Sequence, residues 1–164
     1  MSLCLGMLLP KSYESKVSEI RKKYDLYLMP VANQSIISQF NEKTFFQVSQ
    51  FGDDSNTGIG SYKFFKIDVN ALEEASKGSQ FILQDFKKRK ENYIKDAEKW
   101  VEIISFMLVK MKITSVSIFY YNGHYEPPEK QKFTFTHQSE CKLDYLTSNY
   151  LINMKENELA TFIL

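Results

Sequence analysis

Tyr93-Ile94-Lys95-Asp96-Ala97-Glu98-Lys99-Trp100-Val101-Glu102-Ile103-Ile104-Ser105-Phe106-Met107-Leu108-Val109-Lys110-Met111 decides the class of fold. Within it Tyr93, Ala97, Trp100, Val101, Ile104, Leu108 and Met111 recur at helical spacing and fall on one stripe, while Glu91 with Lys95 and Asp96 with Lys99 form charge pairs on the polar side. Such a stripe must cover an apolar surface. The flanking sequence supplies one: Ile113–Tyr121 is rich in β-branched and aromatic residues, and Lys132–His137 alternates Phe133, Phe135 and His137 with Lys132, Thr134 and Thr136. The two segments are expected to pair as a hairpin. The pattern predicts an α+β protein, a largely antiparallel sheet packed against one long amphipathic helix of about 89–111, with shorter helices around it. An unbroken helix from Ser79 to Met111 would run ~50 Å against a radius of gyration of about 15 Å, so a break or start near Asp85 is expected.

Towards the N-terminus, residues 3–9 read as a buried strand stopped by Pro10, and Ser12 is placed to cap a helix carrying Tyr13, Val17, Ile20 and Tyr24. Leu26–Val31 reads as a strand whose Pro30 belongs at a sheet margin, and Ser35–Phe40 as a short helix. Thr44–Phe51 and Tyr62–Val69 both alternate, so they are expected to pair as antiparallel strands across the loop 52–61. Asn70 and Glu73 form a capping-box start for a brief helix ended by Gly78. Beyond the central region, a helix is expected over Leu143–Tyr150 and a terminal strand over Leu159–Leu164. No repeat or linker divides the chain, and 1–164 is read as one domain.

Composition narrows the functional classes. The 164 residues include 13 Phe, 10 Tyr and one Trp beside only two His and two Cys, so large rings outnumber reactive groups and suit a dense interior or a contact surface. Cys4 and Cys141 allow at most one bridge, which excludes a disulfide scaffold. The apolar start lacks a basic n-region and is too short to span a bilayer, so a cytoplasmic address without membrane insertion is expected. Charges balance at 21 basic to 20 acidic, and Arg21 and Arg89 are the only arginines; specific nucleic-acid binding, which favours the guanidinium fork, is disfavoured. Lys87-Lys88-Arg89-Lys90 is offset by Glu91, Asp96, Glu98 and Glu102 along the same helix and reads as a solvated face.

Three places carry candidate chemistry. The loop bearing Asp53, Asp54, Asn56, Gly58 and Gly60 has glycines for close backbone approach and carboxylates for a cation. It fits neither an EF-hand, because Phe65 stands where the bidentate Glu belongs, nor a phosphate-binding loop, which needs a terminal Gly-Lys-Ser/Thr. Cys141 with His137 or His124, and Asp144 to orient the imidazole, is the one set suggestive of a nucleophile, but it falls short of a four-ligand metal site. Around the Asn122-Gly123 turn, Tyr120, Tyr121, His124, Tyr125 and Glu126 form a set of rings with polar tips suited to a protein contact. The expectation is a non-catalytic, cofactor-free binding protein with a protein partner. Toxin-neutralising immunity proteins are one kind of small binder that this size and composition accommodate; a small-molecule sensor and a Cys/His-dependent hydrolase are the alternatives.

Overall fold

The computed structural model describes residues 3–49, 62–122 and 126–164, the side chains of Leu3 and Tyr62 apart. Its strands are β1 (Leu3–Pro10), β2 (Tyr27–Val31), β3 (Lys43–Ser49), β4 (Val116–Asn122), β5 (His137–Lys142) and β6 (Glu158–Ile163). They form one sheet in the order β2-β3-β1-β4-β6-β5, antiparallel at every junction except the parallel pair β5 and β6. The helices are α1 (Val17–Tyr24), α2 (Gln34–Gln39), α3 (Tyr62–Phe65), α4 (Val69–Ala75), α5 (Gln80–Ser105) and α6 (Ser148–Asn153). The fold is α+β with a largely antiparallel sheet and one long helix, as the central stretch predicts.

Strand alternation sorts the core into two layers. Leu5, Met7 and Leu9 of β1, Phe46 and Val48 of β3, Ile118 and Tyr120 of β4 and Phe162 of β6 share one cluster with Trp100, Ile104 and Leu108 of the long-helix region. Their neighbours Leu8, Phe45, Phe119, Tyr121 and Leu159 belong to a second cluster, covered by Ile36 of α2 and by Phe133. β4 is buried from Val116 to Tyr121 because both of its faces are covered, which is why its sequence reads as an unbroken apolar run.

The stripe of α5 meets the sheet as expected, with Ala97, Trp100 and Ile104 buried, and a π-helical turn, Phe106–Lys110, carries it on to Met111. The helix end is closed from a distance: Tyr13 Oη donates to Lys112 O at 2.8 Å and Lys16 Nζ to Met111 O at 3.2 Å, placing a cation where the helix dipole is negative. The expected break near Asp85 does not occur. Asp85 lies inside the continuous helix and pairs with Arg89 at 2.8 Å, and the N-terminal half is supported by α3 through Phe64, which stacks on Phe86 at 4.8 Å and meets Tyr93 edge-on at 5.0 Å.

Those ring contacts correct a second expectation. Tyr62–Val69 is not a strand: it contains α3 and the start of α4, whose cap is Asp68, accepting from Asn70 N at 2.9 Å. The edges of β3 are already occupied by β1 and β2, and a helical turn lets Phe64 and Phe65 both reach Tyr93, so tertiary contact overrides local β preference. The residues 52–61 expected to connect the hairpin lie outside the described ones.

The second expected hairpin is also corrected. β4 has β1 and β6 as neighbours, and the strand after it starts only at His137, parallel to β6. Phe133 and Phe135 instead drop onto the second core layer, and the terminal strand, docked in the sheet as expected, separates β4 from β5. Two helix starts differ as well. Ser12 lies within a 3-10 segment, Lys11–Lys16, that precedes α1, and Leu143–Tyr150 divides into a 3-10 turn at Leu143–Tyr145 and α6, capped by Thr147.

Candidate functional site

The thiol and the imidazole are kept apart by strand geometry. His137 and Cys141 lie four positions apart on one face of β5, a separation of about 13 Å along an extended chain. Cys141 Sγ meets the hydroxyl of Tyr150 at 3.8 Å, and that hydroxyl bonds Ser139 Oγ at 2.9 Å. Burial, with smaller contributions from Cys141 and Glu158, pushes the Tyr150 phenol up to about 12, so the phenol keeps its proton at neutral pH. Asp144 is exposed in the turn after β5, and His124 lies outside the described residues. Among the described residues no three His, Cys, Asp or Glu side chains gather in a way that would hold a metal ion.

The tyrosines expected to form a contact surface are buried. Alternation in β4 sends Tyr120, 1 % exposed, to the α5 side and Tyr121, 4 % exposed, to the opposite layer, where it lies edge-on to Phe133 and Phe45. Neither ring can meet a partner without unfolding the sheet. Glu126 is exposed; Tyr125 and the loop bearing Asp53, Asp54, Asn56, Gly58 and Gly60 lie outside the described residues.

Tyr120 is the one buried phenol whose hydroxyl finds no hydrogen-bond partner among the described residues, and burial raises its pKa far above the ordinary value. Leaving such a group unpaired costs about 1–3 kcal/mol, so Tyr120→Phe is expected to raise the unfolding free energy by about 1 kcal/mol. A urea titration checks this, and a loss of stability would mean that the hydroxyl is in use. Alkali should act on the other phenols. Tyr24, raised to about 12 by burial and then by Glu102, and Tyr150 stay protonated in the native protein while the unfolded chain ionises near 10.0. The unfolded state therefore binds fewer protons between pH 10 and 12, and stability is full below pH 10 and falls through that window. Urea midpoints measured across it should drop, and Tyr24→Phe should flatten the fall.

A polar clamp that no local motif announces organises the second layer. Asn33, 1 % exposed, caps α2 by accepting from Ile36 N at 3.0 Å, and its amide donates to Pro128 O at 2.8 Å and Gln131 O at 2.6 Å. Ser35 Oγ donates to the Asn33 carbonyl oxygen at 2.8 Å and accepts from Phe133 N at 3.0 Å. Beyond it, Lys43 Nζ reaches across to Ser117 Oγ at 2.8 Å, which bonds Thr161 Oγ1 at 2.8 Å. Sequence reasoning missed this row because its members come from three separate strands.

The most exposed large apolar side chain among the described residues lies elsewhere. Phe81 in the first turn of α5 is 78 % exposed, and Ile82, Ile67 and Val69 of the same α3–α5 region are also exposed. Lys87 and Lys88 are exposed further along the helix, while Arg89 is paired with Asp85. Among the described residues no helix is long and apolar enough to cross a membrane. The chain matches no family model, no curated protein and no solved structure, so its functional reading rests on this geometry.

Proposed function

We propose that this protein is a non-catalytic binding protein whose partner is another protein, engaged through the exposed end of α5. The observation that carries the reading is the ring of Phe81, 78 % exposed. Burying a Phe side chain is worth about 1.5–3 kcal/mol, so a projecting ring flanked by Ile82 is a ready anchor. The exposed Lys87 and Lys88 favour a partner whose apolar pocket has an acidic rim. Toxin neutralisation of the immunity type, in the cytoplasm, is one role of this kind. The separation of His137 from Cys141 along β5 argues against His137 as the base of the hydrolase alternative, since a base must lie within hydrogen-bond reach of its nucleophile.

Affinity capture from the source cell, followed by calorimetry with the purified partner, tests the reading. Phe81→Asp is expected to weaken a stoichiometric partner by about tenfold or more, whereas Tyr145→Ala, at another exposed ring, leaves it bound. Retention of every stoichiometric partner by Phe81→Asp, or the absence of any, overturns it.

A further inference from the structure

The two edges of the sheet differ in what they offer a further strand. β2 is blunted by Pro30, which has no N–H to donate. β5 carries no proline and pairs through all of its residues with β6 alone, so alternate residues turn both N–H and C=O away from the sheet. Among the described residues no hydrogen bond reaches those outer groups. Glu140 and Lys142 lie two positions apart on one face of this edge, both exposed, and neither makes a salt bridge among the described residues. Opposite charges so spaced are self-complementary in an antiparallel pair. A two-fold axis through the residue between them, Cys141, sets each Glu140 opposite Lys142 of a second copy, whereas an axis through Glu140 would set carboxylate against carboxylate.

We propose that the chain forms a two-fold symmetric dimer through β5, the two sheets joining edge to edge about an axis at Cys141. The strand ends at Lys142, where a 3-10 turn follows, so the overlap is short and the contact belongs with weak interfaces, below about 1,200 Å². The contact is made by strand backbone with Glu140 and Lys142, and the reading of Phe81 does not enter it.

Sedimentation equilibrium of the full chain at about 100 µM, the range suited to a contact of this size, tests the proposal, and a monomer–dimer equilibrium is expected. Glu140→Lys and Lys142→Glu each set like charges opposite at both ends of the contact and should weaken the dimer by about tenfold, whereas the double swap should restore it. Directly opposite residues of antiparallel strands have Cα atoms about 4.5–5.5 Å apart, within the reach of a disulfide. Mild copper–phenanthroline oxidation should therefore link the dimer in the Cys4→Ser variant and fail to link it in Cys141→Ser. A monomer at that concentration, a dimer that both single swaps leave intact, a double swap no stronger than the singles, or linkage through Cys4 alone each overturn it.

Discussion

Replacing Asn33 by aspartate is expected to lower the unfolding free energy by about 3 kcal/mol or more near neutral pH, because two buried donors become acceptors that face two carbonyls. An Asn amide has two N–H groups and two lone pairs, and here all four are used: Pro128 O and Gln131 O receive the hydrogens, and Ser35 Oγ and Ile36 N bond the oxygen. The carboxylate keeps the second pair and reverses the first. Its folded pKa must then lie above the unfolded aspartate value of about 3.9, so the variant's deficit is smallest below pH 4 and grows as pH rises through the folded value. Urea midpoints at two pH values measure this directly. Hydrogen exchange should quicken at Phe133 N, which is held by Ser35 Oγ. An unchanged midpoint would mean that the 126–135 segment is not clamped through Asn33.

The second large effect is expected at Gly6. This residue stands opposite Phe119 in the β1–β4 register, and a Cβ there would meet the Phe119 ring, lying 2.7 Å from its Cε1 and Cε2. The ring has nowhere to go: Phe45, Phe133 and Phe135 surround it with centroids 5.4, 5.2 and 5.1 Å away, and it is fully buried. Gly6→Ala should therefore cost about 3 kcal/mol, the upper range for overpacking a close-packed core, although alanine is otherwise the better strand residue. The companion change Phe119→Leu removes the obstructing ring edge, so the double variant should be less destabilised than the sum of the two singles. Additive losses in denaturant titrations would show that ring and backbone do not compete for that space.

The two substitutions show how unevenly the fold was legible. The stripe of Ala97, Trp100 and Ile104 could be read because a helix face in contact with a sheet writes its own period into the chain. The strands β1, β3, β4 and β6 announced themselves by burial for a similar reason. β5 did not. His137–Lys142 is polar and mostly exposed at the sheet edge, so no apolar alternation marks it, and the aromatic alternation just before it mimics a strand. Tyr62–Val69 misled in the opposite direction, its alternation belonging to rings that pack on α5 from a helical turn.

The candidate sites were less legible still. Tyr120 and Tyr121 read as surface from their place beside the Asn122-Gly123 pair, yet one face of β4 is covered by the α5 layer and the other by Ile36 and Phe133. The exposure of Phe81 carries no sequence signal, since whether an apolar residue is covered depends on segments remote in the chain.

By itself the amino-acid order determined the periodic elements, their amphipathic faces and the α+β class, because those follow from local repeat and solvent preference. Strand order, the parallel edge pair, the Asn33 clamp and the choice of which rings face water were decided only in the tertiary structure. Each depends on backbone and side-chain groups meeting across long separations, such as Asn33 with Gln131, where hydrogen-bond satisfaction and packing replace periodicity as the deciding energy.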